Sequence, residues 1–174
     1  MEAKRVSLRA LGVEDLERTL EWVNDPEVAG YTGTVFPISA SEHQLWYQEL
    51  LKDRTRRMFA VVTSDGKHIG NIGLRNIDWV ARNAEVMVYI GDAEFRGKGH
   101  GIEAIAALAD FAFGRLNFHR LYARVFSYNE RAMKSFEECG FQREGLLREH
   151  VFRDGRYHGV VILGLLQKEK ESDS

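Results

Sequence analysis

The chain has 174 residues, of which 44% are hydrophobic and 29% are charged, so it is long enough for one globular domain with a substantial core. Its net charge of −2 argues against a nucleic-acid-binding protein, which would carry a strong basic excess. No apolar run approaches the roughly 20 residues of a membrane span, no apolar leader follows Met1, and Cys139 has no second cysteine for an intrachain disulfide. We therefore expect a cytoplasmic protein that binds neither nucleic acid nor a membrane.

The N-terminal third is predicted to contain one strand and two helices. Alternating apolar and polar residues indicate the strand. Acidic Glu14 and Asp15 stand at the favourable N-terminal end of the first helix. Ser41 and Gln44 have the spacing of a capping box and predict the start of the second helix. The segments are a strand at 6–11, a helix at 14–24, a loop or short helix at 27–37, and a helix that ends near residue 52.

The remainder predicts a mixed α/β sheet. Strand-like patterns around the turn signal at Asp65 and Gly66 indicate an antiparallel meander. A buried helical stripe follows, and the next strand should lie parallel to the last strand of the meander because a helical crossover connects them. The segments are strands at 58–63, 68–77 and 84–90, a helix at 101–117, a strand at 119–125, a helix from Asn129 to the stop at Gly140, and strands at 141–152 and 157–166. We expect one domain over residues 1–166 and a polar, disordered tail over 167–174.

A glycine-dense segment, residues 94–101, joins the strand at 84–90 to the following helix. The first N–H groups of a helix lack intrahelical partners and carry partial positive charge, and glycines let an anion approach the backbone closely. The spacing excludes two common phosphate motifs. A Walker loop needs a Ser or Thr directly after Lys98, and a dinucleotide fingerprint needs glycine where Ile102 stands.

The remaining pattern, Arg96-x-x-Gly99-x-Gly101, resembles the acetyl-CoA pyrophosphate loop of the GCN5-related N-acetyltransferase (GNAT) superfamily. Residues 85–92 and 129–141 resemble the same superfamily at the same spacing. Residues 22–28 resemble the branch that contains ribosomal-protein-alanine and spermidine acetyltransferases. The resemblance covers residues 6–166. It implies a GNAT-like fold, in which a mostly antiparallel central sheet has one parallel pair of strands splayed apart for CoA.

The resemblance also implies a site. Acetyl-CoA would be the cosubstrate, with no metal, and its pantetheine arm would pair with the backbone of the splayed strand. Its pyrophosphate would lie on the N–H groups of the glycine loop, with side-chain donors from Arg96 and Lys98. The alternative for Asn129 is a helix cap alone. The implied cofactor-binding residues are Val88, Tyr89, Ile90, Arg96, Gly97, Lys98, Gly99, His100, Gly101, Ile102 and Asn129.

The chemistry requires a neutral amine, a polarised carbonyl oxygen and a proton for the departing thiolate. By resemblance, Glu85 is the expected base and a backbone N–H near Tyr89 polarises the acetyl oxygen. Many family members protonate the thiolate with a tyrosine where this chain has Phe136. Tyr128 or water would then supply the proton, or the thiolate would leave unaided. Cys139 is expected to be buried and unreactive, so we expect direct transfer.

The expected acceptor is a primary amine, either a small molecule such as a polyamine, an amino sugar or an antibiotic, or a protein N-terminus. Most members of an aromatic set are expected to pack on the sheet, although one or two could line the acceptor pocket. The set comprises Trp22, Tyr31, Phe36 and Trp46. The resemblance further implies a homodimer. Two other functions stay open: a catalytically silent acyl-CoA-binding module, favoured by Phe136, and a nucleotide-phosphate-binding protein.

Overall fold

The computed structural model describes residues 5–172, and this part of the chain forms seven strands and six α-helices. The strands are β1 (Val6–Ala10), β2 (Arg57–Thr63), β3 (His68–Asp78), β4 (Asn83–Ile90), β5 (Arg120–Phe126), β6 (Gln142–Arg153) and β7 (Arg156–Leu166). The helices are α1 (Leu16–Asn24), α2 (Pro26–Thr32), α3 (Ala40–Lys52), α4 (His100–Gly114), α5 (Glu130–Glu138) and α6 (Gln167–Ser172). No helix within residues 5–172 is long and apolar enough to cross a membrane.

All seven strands belong to one sheet, in the order β1-β2-β3-β4-β5-β7-β6. Neighbouring strands are antiparallel except β4 and β5, which are parallel. The parallel pair follows from the crossover through α4, because two strands joined by a helix that returns to the same edge run in the same direction. The predicted mixed α/β fold is therefore confirmed.

Helices cover both faces of the sheet. Successive side chains of a strand point to opposite faces, and β2 shows this alternation directly. Val61 packs into the larger core with α4, whereas Ala60 and Val62 pack with α1 and α3 on the other face. The layered arrangement leaves the loop between β4 and α4 between the two sets of helices.

Two helix boundaries differ from the sequence-based prediction. Helix α3 is capped by Ser39, whose Oγ accepts from the Glu42 N–H while Glu42 bonds back to Ser39 N–H, so the capping box lies two residues before the predicted one at Ser41. Helix α4 ends at Gly114 rather than at Asn117, although the apolar stripe continues because Leu116 still packs against the core. Apolar periodicity reports burial, and burial persists beyond the last helical turn.

The C-terminal segment also differs. A disordered tail was predicted for residues 167–174, but residues Gln167–Ser172 form α6. The Glu169 carboxylate accepts from the Leu166 N–H at 2.8 Å, which satisfies a backbone donor just before the first turn of this helix. Residues 173–174 lie outside the described residues.

Candidate active site

The candidate site begins where β4 and β5 separate. The two strands pair over only three positions, Asn83 to Glu85 with Arg120 to Tyr122. Beyond these positions β4 continues to pair with β3, and β5 with β7, but the facing edges of β4 and β5 diverge. A cavity of about 510 Å³ opens beside this gap. Its walls include nine residues of the predicted cofactor site: Val88, Tyr89, Ile90, Arg96, Gly97, Gly99, Gly101, Ile102 and Asn129.

The glycine loop delivers the start of α4 to this cavity. Gly97 and Gly99 have φ of +70° and +85°, a left-handed conformation that residues with a Cβ rarely adopt. Gly99 is the N-cap of α4 and has no side chain to accept from the first-turn N–H groups. Those donors and the positive end of the helix dipole are therefore available to an anion. An unpaired strand edge beside a helix N-terminus fits the pantetheine and pyrophosphate parts of CoA.

The Arg96 side chain is bound by other groups of the protein. Its guanidinium donates to the carbonyl oxygens of Ile90 and Gly91, and it forms ion pairs with Asp25 at 2.9 Å and Glu27 at 2.7 Å. Only 11% of the side chain is exposed. The hydrogen bond from Arg96 lowers the pKa of Asp25, so this pair stays charged at neutral pH. Arg96 thus fastens α2 to the glycine loop, and these protein groups already occupy most of its N–H donors.

Two other predicted residues lie beside the cavity without lining it. The His100 side chain is buried, and its Nδ1 lies 3.1 Å from the Phe95 carbonyl oxygen. The Lys98 side chain is exposed, and its carbonyl oxygen accepts from Arg5 at 3.0 Å. Neither side chain is part of the cavity wall.

Asn129 is a helix cap that also lines the candidate site. Its Oδ1 accepts from the Ala132 N–H at 3.1 Å and so caps α5. The same residue lines the first cavity and also a second one of about 490 Å³. The two cavities share Tyr31, Val88, Asn129, Ala132 and Phe136, so they meet at the gap between β4 and β5.

Glu85 lines the second cavity rather than the first. The residue is 1% exposed, and its two carboxylate oxygens accept from Arg75 at 2.5 Å and from Asn76 at 2.8 Å. The register pairs Glu85 with Tyr122 at the last position before the strands diverge. The carboxylate therefore stands at the apex of the gap, across it from the glycine loop.

Tyr89 contributes its backbone to the first cavity while its side chain points to the opposite face of the sheet. The Tyr89 hydroxyl accepts from Asn71 at 2.7 Å, and burial raises the pKa of the phenol, so it stays protonated.

A third cavity of about 440 Å³ lies on the face of the sheet to which the Tyr89 side chain points, and it is lined by residues of α1, α3 and β4. It shares Thr32, Arg75 and Met87 with the second cavity.

Neither Phe136 nor Tyr128 has a free proton for the departing thiolate. Phe136 is 3% exposed and lies in the wall shared by the first two cavities, but it has no proton to give. The Tyr128 hydroxyl donates its proton in a hydrogen bond to the Gly30 carbonyl oxygen at 2.6 Å. Burial raises the pKa of Cys139 to about 11, so its thiol is protonated at neutral pH and is a poor nucleophile.

Of the aromatic set, Tyr31 lines both of the first two cavities and Trp46 lines the third. Trp22 is buried, whereas Phe36 is 81% exposed. Sequence reasoning missed three polar residues of the second cavity, Arg75, Arg124 and His150, because they lie on three different strands. No local spacing could have shown that they meet.

Comparisons with known proteins agree with this geometry. A family model described as an acetyltransferase (GNAT) domain matches residues 5–142. A spermidine N(1)-acetyltransferase of Vibrio cholerae is 32% identical and covers 95% of each chain. A putative ribosomal N-acetyltransferase of Bacillus subtilis is 28% identical, over 98% of this chain and 96% of the relative.

Solved structures give the same result. The fold matches the crystal structure of the Vibrio cholerae spermidine N-acetyltransferase in complex with CoA and spermine, with a TM-score of 0.92, 31% identity, and coverage of 97% and 99% of the two chains. Another structure of that enzyme, described as dodecameric, matches with a TM-score of 0.84 at 30% identity over 99% of each chain. The superfamily resemblance is thus confirmed, and the chain belongs to the acetyltransferase (GNAT) family, whose cosubstrate is acetyl-CoA.

Proposed function

We propose that the protein transfers the acetyl group of acetyl-CoA to a primary amine by direct attack in a ternary complex. The observation that carries this proposal is the gap between β4 and β5, where two cavities meet. One cavity holds a glycine-capped helix N-terminus and the other holds a buried carboxylate. A bound thioester and an incoming amine can therefore reach each other from opposite sides.

The first cavity would bind the cosubstrate. The backbone edge of Val88, Tyr89 and Ile90 would pair with the pantetheine arm, since strand edges carry unpaired N–H and C=O groups. The N–H groups from Gly97 to Ile102 would hold the pyrophosphate. Asn129 would contact the arm near its thiol end with its Nδ2 group, because its Oδ1 is occupied as the cap.

Positioning would supply most of the rate enhancement, and the Tyr89 N–H would polarise the acetyl oxygen. Glu85 would remove the amine proton through a water molecule, since both of its oxygens already accept hydrogen bonds. Phe136 has no proton to give, and the Tyr128 hydroxyl donates to the Gly30 carbonyl. The thiolate would therefore leave without a protein acid or take its proton from water. A thiol near the unperturbed value of about 8.5 for cysteine is a tolerable leaving group.

Acceptor identity is the open part of the proposal. The names of the relatives make spermidine the first amine to test. Amino sugars, amine-bearing antibiotics and protein N-termini complete the set. A catalytically silent acyl-CoA-binding module is the competing function, and its supporting observation is Phe136 at the junction of the cavities. Nucleotide binding is disfavoured because no Ser or Thr follows Lys98.

Thiol release from acetyl-CoA, measured with a panel of these amines, tests the proposal. We expect at least one amine to raise the rate well above hydrolysis of acetyl-CoA alone. Tight CoA binding without turnover on any amine would instead establish the silent module. An affinity for ATP that exceeds the affinity for CoA would support the nucleotide-binding function.

Replacing Gly99 with valine should weaken acetyl-CoA binding at least tenfold, or about 1.4 kcal/mol, because a branched side chain would stand where phosphate meets backbone. The matched control is Gly66→Val in the β2–β3 turn, where φ is also +85° and a Cβ would meet no atom within 4 Å. Both variants carry similar backbone strain. Calorimetry should therefore show weaker CoA binding only for Gly99→Val, and equal affinity in two folded variants would remove the loop from the site.

Replacing Glu85 with glutamine keeps the side-chain shape but removes the proton acceptor. Turnover should fall by roughly 10² to 10⁴ while CoA affinity barely changes, and the acidic limb of the kcat/KM profile should disappear if Glu85 causes it. Glu144→Gln is a suitable control because Glu144 is an exposed carboxylate paired with Arg120 outside the cavities. Retention of most of the wild-type kcat in Glu85→Gln would show that this carboxylate is structural.

We also propose that the protein is cytoplasmic and self-associates, in a dimer or a larger assembly. Support comes from the hairpin of β6 and β7 at the edge of the sheet, where Leu146, Phe152 and Tyr157 are more than half exposed, and from the dodecameric description of the Vibrio cholerae structure. Light scattering of the purified protein should give a mass of at least two chains, and Leu146→Arg should reduce it. A monomer at micromolar concentration would contradict this proposal.

A further inference from the structure

The second cavity carries an excess of positive charge. Two arginines, Arg75 and Arg124, line it together with His150, against a single carboxylate, Glu85. That carboxylate is already bound by Arg75 and Asn76. The wall therefore offers an incoming substrate more unsatisfied positive charge than negative charge.

Arg124 is the least satisfied of these groups. Among residues 5–172 it has no carboxylate partner, and its one side-chain hydrogen bond is to His150 Nε2 at 3.0 Å. A guanidinium has only donors, so Arg124 donates to His150 Nε2. One nitrogen of the guanidinium is used in this contact, which leaves most of its five N–H donors for a planar anion.

The backbone around the cavity is irregular on both sides. The pairing register shifts between Arg75 and Asp78 in β3 and between Leu147 and Val151 in β6. Each irregularity contains a residue with φ of +50°, Asn76 in β3 and Glu149 in β6. Bulges redirect side chains. At the irregularity in β3 Asn76 donates to Glu85, and at the irregularity in β6 His150 contacts Arg124.

Among the described residues, Glu85 is the carboxylate that lines the second cavity, and Glu42 is the one that lines the adjoining third cavity. The two arginines in the wall of the third cavity, Arg56 and Arg75, are paired with Asp53 and Glu85. Arg124 has no such partner, and its charge would repel an ammonium group placed beside it. The second cavity is thus better matched to an acceptor with an anionic group near Arg124 than to one with a second ammonium group there.

We propose that the second cavity binds an acceptor whose reacting amine lies beside an anionic group, and that Arg124 binds this group. The amine would face Glu85, and the anion would face Arg124. Glu85 pairs with Tyr122, and Arg124 lies two residues further along β5, a rise of about 7 Å on the same face. This spacing suits a small zwitterion. The anion is a carboxylate in an amino acid or a phosphate in an amino-alcohol phosphate, and both suit a guanidinium.

This inference rests on the proposed function, and matched acceptors test it separately. The acceptors are alanine, leucine and phenylalanine with their amides, O-phosphoethanolamine with ethanolamine, and spermidine. We expect kcat/KM for the better anionic class to exceed that of its neutral partner and of spermidine at least tenfold. A preference for amino acids identifies the carboxylate, and a preference for O-phosphoethanolamine identifies the phosphate.

The Arg124→Gln variant should lose at least tenfold in kcat/KM for the anionic acceptor, mainly through KM, with little change for neutral amines or for CoA affinity. Arg148→Gln is the matched control because Arg148 is an exposed arginine on β6 that does not line the cavity. A higher kcat/KM for spermidine or for the neutral partners, or an acceptor preference that survives in Arg124→Gln, would overturn the inference.

Product binding gives a readout that does not need turnover. Calorimetry on the CoA-saturated protein should detect binding of an N-acetylated amino acid or of N-acetyl-O-phosphoethanolamine, at least tenfold weaker in Arg124→Gln. Equal affinities in the two proteins, or no binding of either product, would also overturn the inference. Failure of the proposed function would look different, since no amine of any charge would then release thiol.

Discussion

Strands β4 and β5 are hydrogen-bonded over three residue pairs and then diverge, although both strands continue. Backbone N–H and C=O groups away from water require hydrogen-bond partners. Beyond Glu85, the facing edges of β4 and β5 do not pair with each other. An extended ligand that carries amide groups can supply the missing hydrogen bonds. The same divergence opens the two cavities and makes them meet, so the proposed cosubstrate site and the proposed acceptor site both follow from one departure from regular pairing.

The N-terminal helices are held to this gap by charge as well as by packing. Arg96 joins the carbonyl oxygens at the end of β4 to Asp25 and Glu27 at the start of α2. Because this guanidinium is largely buried, removing either carboxylate would leave a buried charge incompletely paired, which is costly. Tyr128 adds a second tie, from the β5–α5 connection to the Gly30 carbonyl. Tyr31 is consequently held where the two cavities meet.

The proposed cosubstrate side and the proposed acceptor side would recognise their ligands by different means. A pyrophosphate can be held by backbone N–H groups and a helix dipole, which depend on glycines and on local conformation. An acceptor must be distinguished from other amines by the charge and shape of side chains, and here Arg75, Arg124 and His150 come from three strands. Two proteins can therefore share a fold at a TM-score of 0.92 and about 31% identity while differing in the amines they accept.

The sequence by itself determined the order of the elements from β1 to β7, the glycine-dense loop before α4 and the cap at Asn129, because these depend on periodicity and on contacts between near neighbours in the chain. The three-residue extent of the β4–β5 pairing, the ion pairs of Arg96 with α2 and the ion pair at Glu85 were decided only by tertiary structure. Arg96 binds partners about 70 positions earlier in the chain, and Arg124 meets His150 across 26 positions. Hydrogen bonds and ion pairs act over a few ångströms in space, so their partners are defined only when the sheet has assembled.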